Sequence, residues 1–204
     1  MTFSHFIKQF KSMWGGAVIA ATSGPAILWL SGLDPPWPPG GASKIATLFC
    51  AVAAIMAYAL GNTLVDKNPK ISKKYSFLKK QSHRIVGTAF LTIGLAMGIA
   101  YLWIYSSVVL ADTIQIQSKN VIVRKVVGNE IRNGIHAEGK TKLDLLRDHL
   151  YEEDRVWTAD SLKAARMTLL GTFLITFFSI TFGTAILAFS NPVEKNTNPV
   201  RQEK

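Results

Sequence analysis

The chain has 204 residues, 49% of them hydrophobic and 18% charged, a balance that suits a membrane protein better than a soluble domain. Its formal net charge of +10 would imply a nucleic-acid partner only if the cations gathered on one structured face, so they have to be located first. A single cysteine, Cys50, excludes an intramolecular disulfide and CxxC thiol chemistry, and its apolar surroundings read as a small buried hydrophobe.

Taken in order, Phe3, Phe6, Ile7 and Phe10 fall at helical spacing, so residues 1–12 are expected to lie as an amphipathic helix in the membrane interface. A cleaved signal peptide competes with that reading. The apolar run that follows, 13–33, is long for one and no small-x-small site closes it. Residues 13–33 are expected as a first span, bent at Pro25. Residues 34–41, DPPWPPGG, cannot be helical and make a stiff turn with Trp37 at headgroup level. A second, alanine-rich span is expected over 44–65.

Residues 66–84 carry six lysines and one arginine against one aspartate. Ile71, Tyr75 and Leu78 make this loop a basic amphipathic surface helix. Lys70, Lys73, Lys74, Lys79, Lys80 and Arg84 are its candidate contacts to anionic headgroups or to a cytosolic protein partner. A third span is expected over 85–111, with Gly94 and Gly98 spaced GxxxG for close helix packing.

Residues 112–160 read as a small α+β unit. Alternation at Ile114 and Ile116 and the β-branched Val121–Val123 suggest a hairpin, with Gly128-Asn129 and Asn133-Gly134 as turn dipeptides. From Thr141 the pattern turns helical, with Leu143, Leu146 and Leu150 as its apolar face and Tyr151 and Trp157 expected at the membrane interface. The helix from about Thr158 is expected to continue into a fourth span, 161–190. That span holds 23 uncharged residues, 167–189, about 35 Å of helix. Thr168, Thr172, Thr176, Ser179 and Gly183 share one face of it, as a packing seam or, in an oligomer, as a pore lining. The polar tail, 191–204, is expected to be disordered.

The expected fold is therefore all-α transmembrane: a four-helix membrane bundle with a small α+β extracytoplasmic insertion between spans three and four. Lys and Arg number two in the N-terminal segment, seven in the 66–84 loop and three in the tail, while in 112–160 they nearly balance the acids. The positive-inside rule then puts both termini and the lysine loop on the cytoplasmic side, and the expected location is a bacterial inner membrane. The +10 becomes a topology signal, and direct nucleic-acid binding is not expected.

No charged residue or histidine falls at the centre of any expected span, and no HExxH, CxxC or P-loop pattern occurs. His136, Glu138 and His149 lack a spacing that would impose metal geometry. No catalytic site, cofactor or metal is expected, and the chain reads as a non-enzyme. Four spans, the PPWPPG turn at 35–40 and the lack of a catalytic signature resemble the small four-span membrane components of bacterial anti-phage and conflict systems, such as the Kiwa-type membrane subunit. That resemblance implies a sensor, or a membrane-perturbing effector, working with a cytosolic partner. The leading expectation is a homo-oligomeric sensor or scaffold that couples the outer unit to the cytosol. The alternatives are an oligomeric pore and a small transporter.

Overall fold

The computed structural model describes residues 33–39, 41–63, 72–116 and 118–190. The interfacial N-terminus, nearly all of the first expected span, Lys70 and the tail lie outside those residues. Five helices and one hairpin make up the described chain: α1 (Ala42–Thr63), α2 (Ser72–Val108), β1 (Val109–Ile116), β2 (Lys119–Val126), α3 (Lys142–Asp148), α4 (Glu153–Val156) and α5 (Ala159–Ser190).

α5 is the centre of the helical layer and packs against both α1 and α2. α1 meets it with residues that have almost no side chain. Ala42, Ala46, Cys50, Ala53 and Ala57 recur at i, i+4, i+8, i+11 and i+15, and each is at most 1% exposed. Their small size lets Phe173, Phe177 and Phe182 of α5 come close, so alanine here shapes an interface. The α2–α5 contact is antiparallel and built on glycine. A Cβ at Gly183 would stand 2.8 Å from the Gly87 carbonyl oxygen and 2.9 Å from the Leu91 nitrogen. Further along, Gly94 faces Ser179 and Ile180, and Gly98 faces Thr176. At the cap end the rings of Tyr101 and Phe173 lie 5.3 Å apart.

The four-span, all-α expectation is corrected here. Among the described residues only two helices are long and apolar enough to cross a membrane, Arg84–Val108 with mean hydropathy 2.0 and Ala159–Ala188 with 1.9. The second expected span, 44–65, is not one of the two, and the apolar stretch found in its helix among the described residues is Ala42–Ala57. The chain also builds a two-stranded antiparallel sheet beside its five helices.

α2 passes directly into β1, so Val109, Leu110 and Ala111, expected in the third span, are strand. The ladder runs from Val109 opposite Val126 to Ile116 opposite Lys119. The hairpin therefore reverses around Ser118 (φ 65°), not at either glycine dipeptide. Gly128 has another use: a Cβ there would meet the Trp157 Cβ at 2.9 Å.

Beyond the hairpin, Thr141 caps α3 through a reciprocal bond pair with Asp144. The expected leucine face is not the one that forms. Leu145 and Leu146 are buried, whereas Leu150 is 76% exposed, because α3 ends at Asp148 and the chain reverses through left-handed Leu150 (φ 56°) and Tyr151 (φ 60°). Trp157, expected at the membrane interface, is 1% exposed and centres a second core with Val127, Leu145, Leu146, Val156 and Leu162. It also pairs with Ile131 in a single antiparallel bridge. This small core makes residues 109–158 a cap seated on one end of the helical layer.

Candidate functional site

The chemistry-bearing side chains of the described residues collect where the cap meets the helices. Alternation in the ladder explains the first of them. With Val109 opposite Val126, every second residue turns its N–H away from the partner strand, and two of those outward N–H groups are held by carboxylates. The Thr113 N–H donates to its neighbour Asp112 Oδ1 at 2.9 Å, and the Val126 N–H donates to Glu153 Oε1 at 2.9 Å. Each edge of the hairpin is thus closed at one point by an acid.

Each acid is in turn gripped by an arginine. Arg147 donates from Nε to Asp112 Oδ2 at 2.7 Å and from Nη2 to Oδ1 at 2.9 Å, and the Tyr151 hydroxyl donates to the same carboxylate. The Arg147 guanidinium first, and the Tyr151 hydroxyl second, hold the Asp112 carboxyl well below the usual carboxylate range. Asp112 in turn pushes Arg147 up, and the same bond raises the Tyr151 phenol. On the other edge, Arg166 of α5 donates from Nη2 to Glu153 Oε2 at 2.5 Å, with side-chain exposures of only 21% and 11%. Its guanidinium lies 5.9 Å from the Trp37 ring centroid. Arg166 Nε is buried with no hydrogen-bond partner among the described residues.

The PPWPP turn closes the arrangement from below. Asp34 pairs with Arg124 of β2 at 3.5 Å, and the Tyr101 hydroxyl of α2 donates to the Leu33 carbonyl. Glu153 is therefore the pivot: one oxygen holds β2 and the other holds the first turns of α5. β2 and α5 are thus joined through one carboxylate by two hydrogen bonds.

The residues singled out from the sequence are placed elsewhere. Lys73, Lys74, Lys79, Lys80 and Arg84 lie in the first turns of α2, continuous with its apolar stretch and at the far end from the cap. Gly94 and Gly98 face α5. On the hydroxyl stripe Thr168 is exposed and Thr172 half-buried, while Thr176, Ser179 and Gly183 are buried against α2. Thr172 and Thr176 donate to the carbonyls of Thr168 and Thr172 at 2.9 and 2.7 Å, so these hydroxyls are satisfied within their own helix. Among the described residues no group of three or more His, Cys, Asp or Glu side chains comes together.

Sequence reading missed Asp34, Asp112, Arg124, Arg147, Tyr151, Glu153 and Arg166 as a set. One signal was available. Arg166 is the last charge before 23 uncharged residues, a position where a cation needs a partner.

Fold and site together define a class: a layer of helices, two of them long and apolar enough to cross a membrane, carrying a compact cap wired to the central helix by ion pairs. Nothing narrows the class further, since no family model, no curated protein and no solved structure matches the chain. With two candidate spans described in place of four, the resemblance to anti-phage membrane components carries no further argument.

Proposed function

We propose that this protein is a non-enzymatic membrane protein in which the cap is a recognition unit and the Glu153–Arg166 junction passes the state of the cap into α5. The observation that carries the proposal is the double engagement of Glu153, with Val126 of β2 and Arg166 of α5. α2 supports the membrane placement. Only 17% of its most apolar stretch is buried against the chain, and Ile93, Leu95, Ile99, Leu102 and Trp103 stand outward. A soluble protein would have to cover such a face. Basic residues crowd the end of α2 away from the cap, which favours a cytoplasmic end there and an outer cap. Anionic headgroups are the partner suited to that end.

Two measurements test this reading. In sealed vesicles and a Cys50→Ala background, cysteines at Lys80 and Lys142 should react with an impermeant reagent from opposite sides. Labelling from the same side sinks the membrane reading. In lipid nanodiscs, Glu153→Gln should raise hydrogen exchange in β2 and in the first turns of α5 together. A rise confined to β2 would remove the coupling.

A further inference from the structure

The two edges of the hairpin are not equivalent. On β1 the outward N–H of Thr113, near mid-strand, is already taken by Asp112, whose side chain is itself fixed by Arg147 and Tyr151. On β2 the capped group is Val126, at the end of the strand next to the core. The same alternation turns the N–H and C=O groups of Asn120, Ile122 and Arg124 away from β1, and no strand among the described residues pairs with them. Asn120, Val121 and Ile122 are exposed, Ile122 by 64%. An open edge of this kind is a template for a further strand.

Charge selects the occupant. β2 carries Lys119, Arg124 and Lys125 and no acid. Arg124 is paired with Asp34, whereas Lys119 and Lys125 have no acidic partner among the described residues. They lie six residues apart, on the same face as Val121 and Val123 and about 20 Å from each other. A second copy paired two-fold about Ile122, the middle of the open N–H groups, would set Lys119 of one copy opposite Lys125 of the other, and directly opposed like charges destabilise a ladder.

We propose that the free edge of β2 is a docking site for an extended acidic segment of another protein. That segment adds an antiparallel third strand to the hairpin, with acids at i and i+6 opposite Lys125 and Lys119 and apolar residues between them opposite Val123 and Val121. The inference rests on the reading of the cap as a recognition unit and supplies the chemistry of what it recognises. Binding would order β2 beside Val126, and so would act on the strand end that Glu153 holds.

The probe is the capped heptapeptide Glu-Thr-Val-Thr-Val-Thr-Glu, labelled and titrated against the full chain in uncharged nanodiscs by fluorescence anisotropy. The control is the same peptide with both Glu replaced by Lys. The acidic peptide should bind at least about tenfold more tightly, as two attractive pairs replace two repulsive ones. Lys119→Glu combined with Lys125→Glu should reverse that order. Ile122→Pro, which removes an outward donor and leaves the ladder bonds intact, should abolish binding of both peptides. Equal binding of the two peptides, or an order that survives the charge reversal, overturns the proposal. So does a charge reversal that changes only the association with anionic vesicles, which would make this edge a lipid contact. Loss of peptide binding with the Glu153→Gln exchange coupling intact would remove this inference alone. Loss of that coupling would remove the reading beneath it.

Discussion

The helical layer and the cap satisfy their polar groups in opposite ways. In the layer, four threonine hydroxyls turn back onto their own helix: Thr92 to Thr88, Thr172 to Thr168, Thr176 to Thr172 and Thr184 to Ile180, all at 2.7–3.0 Å. Contacts between these helices rest chiefly on shape, glycine and alanine against larger side chains. In the cap, beside local bonds such as the Thr141–Asp144 pair, three polar contacts join residues far apart in sequence: Asp112 to Arg147, Glu153 to Val126, Arg124 to Asp34. A surface without water must close its hydrogen bonds locally, while an aqueous one can use charge to tie distant segments together. The first strategy makes a layer tolerant of polar changes and intolerant of volume. The second makes a cap that fails when one long-range partner is removed.

That contrast can be broken most severely at Trp157. Trp157→Ala empties the centre of the cap core and should cost about 4 kcal/mol there, seen as loss of the near-ultraviolet signal with helical content retained. Equal loss of both signals would show that cap and layer unfold as one unit. Gly183→Leu is the matching test for the layer. The added side chain meets backbone at Gly87 and Leu91, so the α2–α5 contact should lose about 3 kcal/mol in detergent unfolding, with the cap signal unchanged. Leu146→Ala and Leu150→Ser sharpen the comparison inside the cap. The first should cost about 3 kcal/mol and the second less than about 0.5 kcal/mol, since Leu146 is 1% exposed and Leu150 is 76% exposed.

The smallest expected response is to pH. Asp112 and Asp144 both have folded-state pKa values below the ordinary one, Asp112 through Arg147 and Tyr151 and Asp144 through the Thr141 side chain and N–H. Their contributions are complete above an unfolded value of about 3.9 and are lost as pH falls below it toward the folded values. Cap tyrosine fluorescence should therefore stay flat from about pH 8 to 5 and change only in stronger acid. A transition near pH 6 would point to a titrating group other than these two carboxyls.

Much of the layer was legible because its rules are local. The uncharged run ending α5 is a feature of composition and the GxxxG of α2 one of spacing, and both act within a single helix. The leucines of α3 show where such reasoning stops. Leu143, Leu146 and Leu150 obey helical spacing, but α3 is seven residues long and the third leucine lies beyond its end. The 44–65 run shows a second limit, since hydropathy alone does not report that its alanines and Cys50 form the face α5 packs against.

The sequence by itself determined that apolar helices dominate the chain, that cations crowd one end of α2, and that α3 starts at Thr141, because composition, charge order and a capping residue act within a few positions. Only the tertiary structure decided which acids meet which arginines. Asp112 and Arg147 stand 35 residues apart, and Asp34 and Arg124 stand 90 apart. Such pairs exist only once the hairpin has folded over the helix ends, because a charge finds its partner through space, and no periodicity along the chain records it.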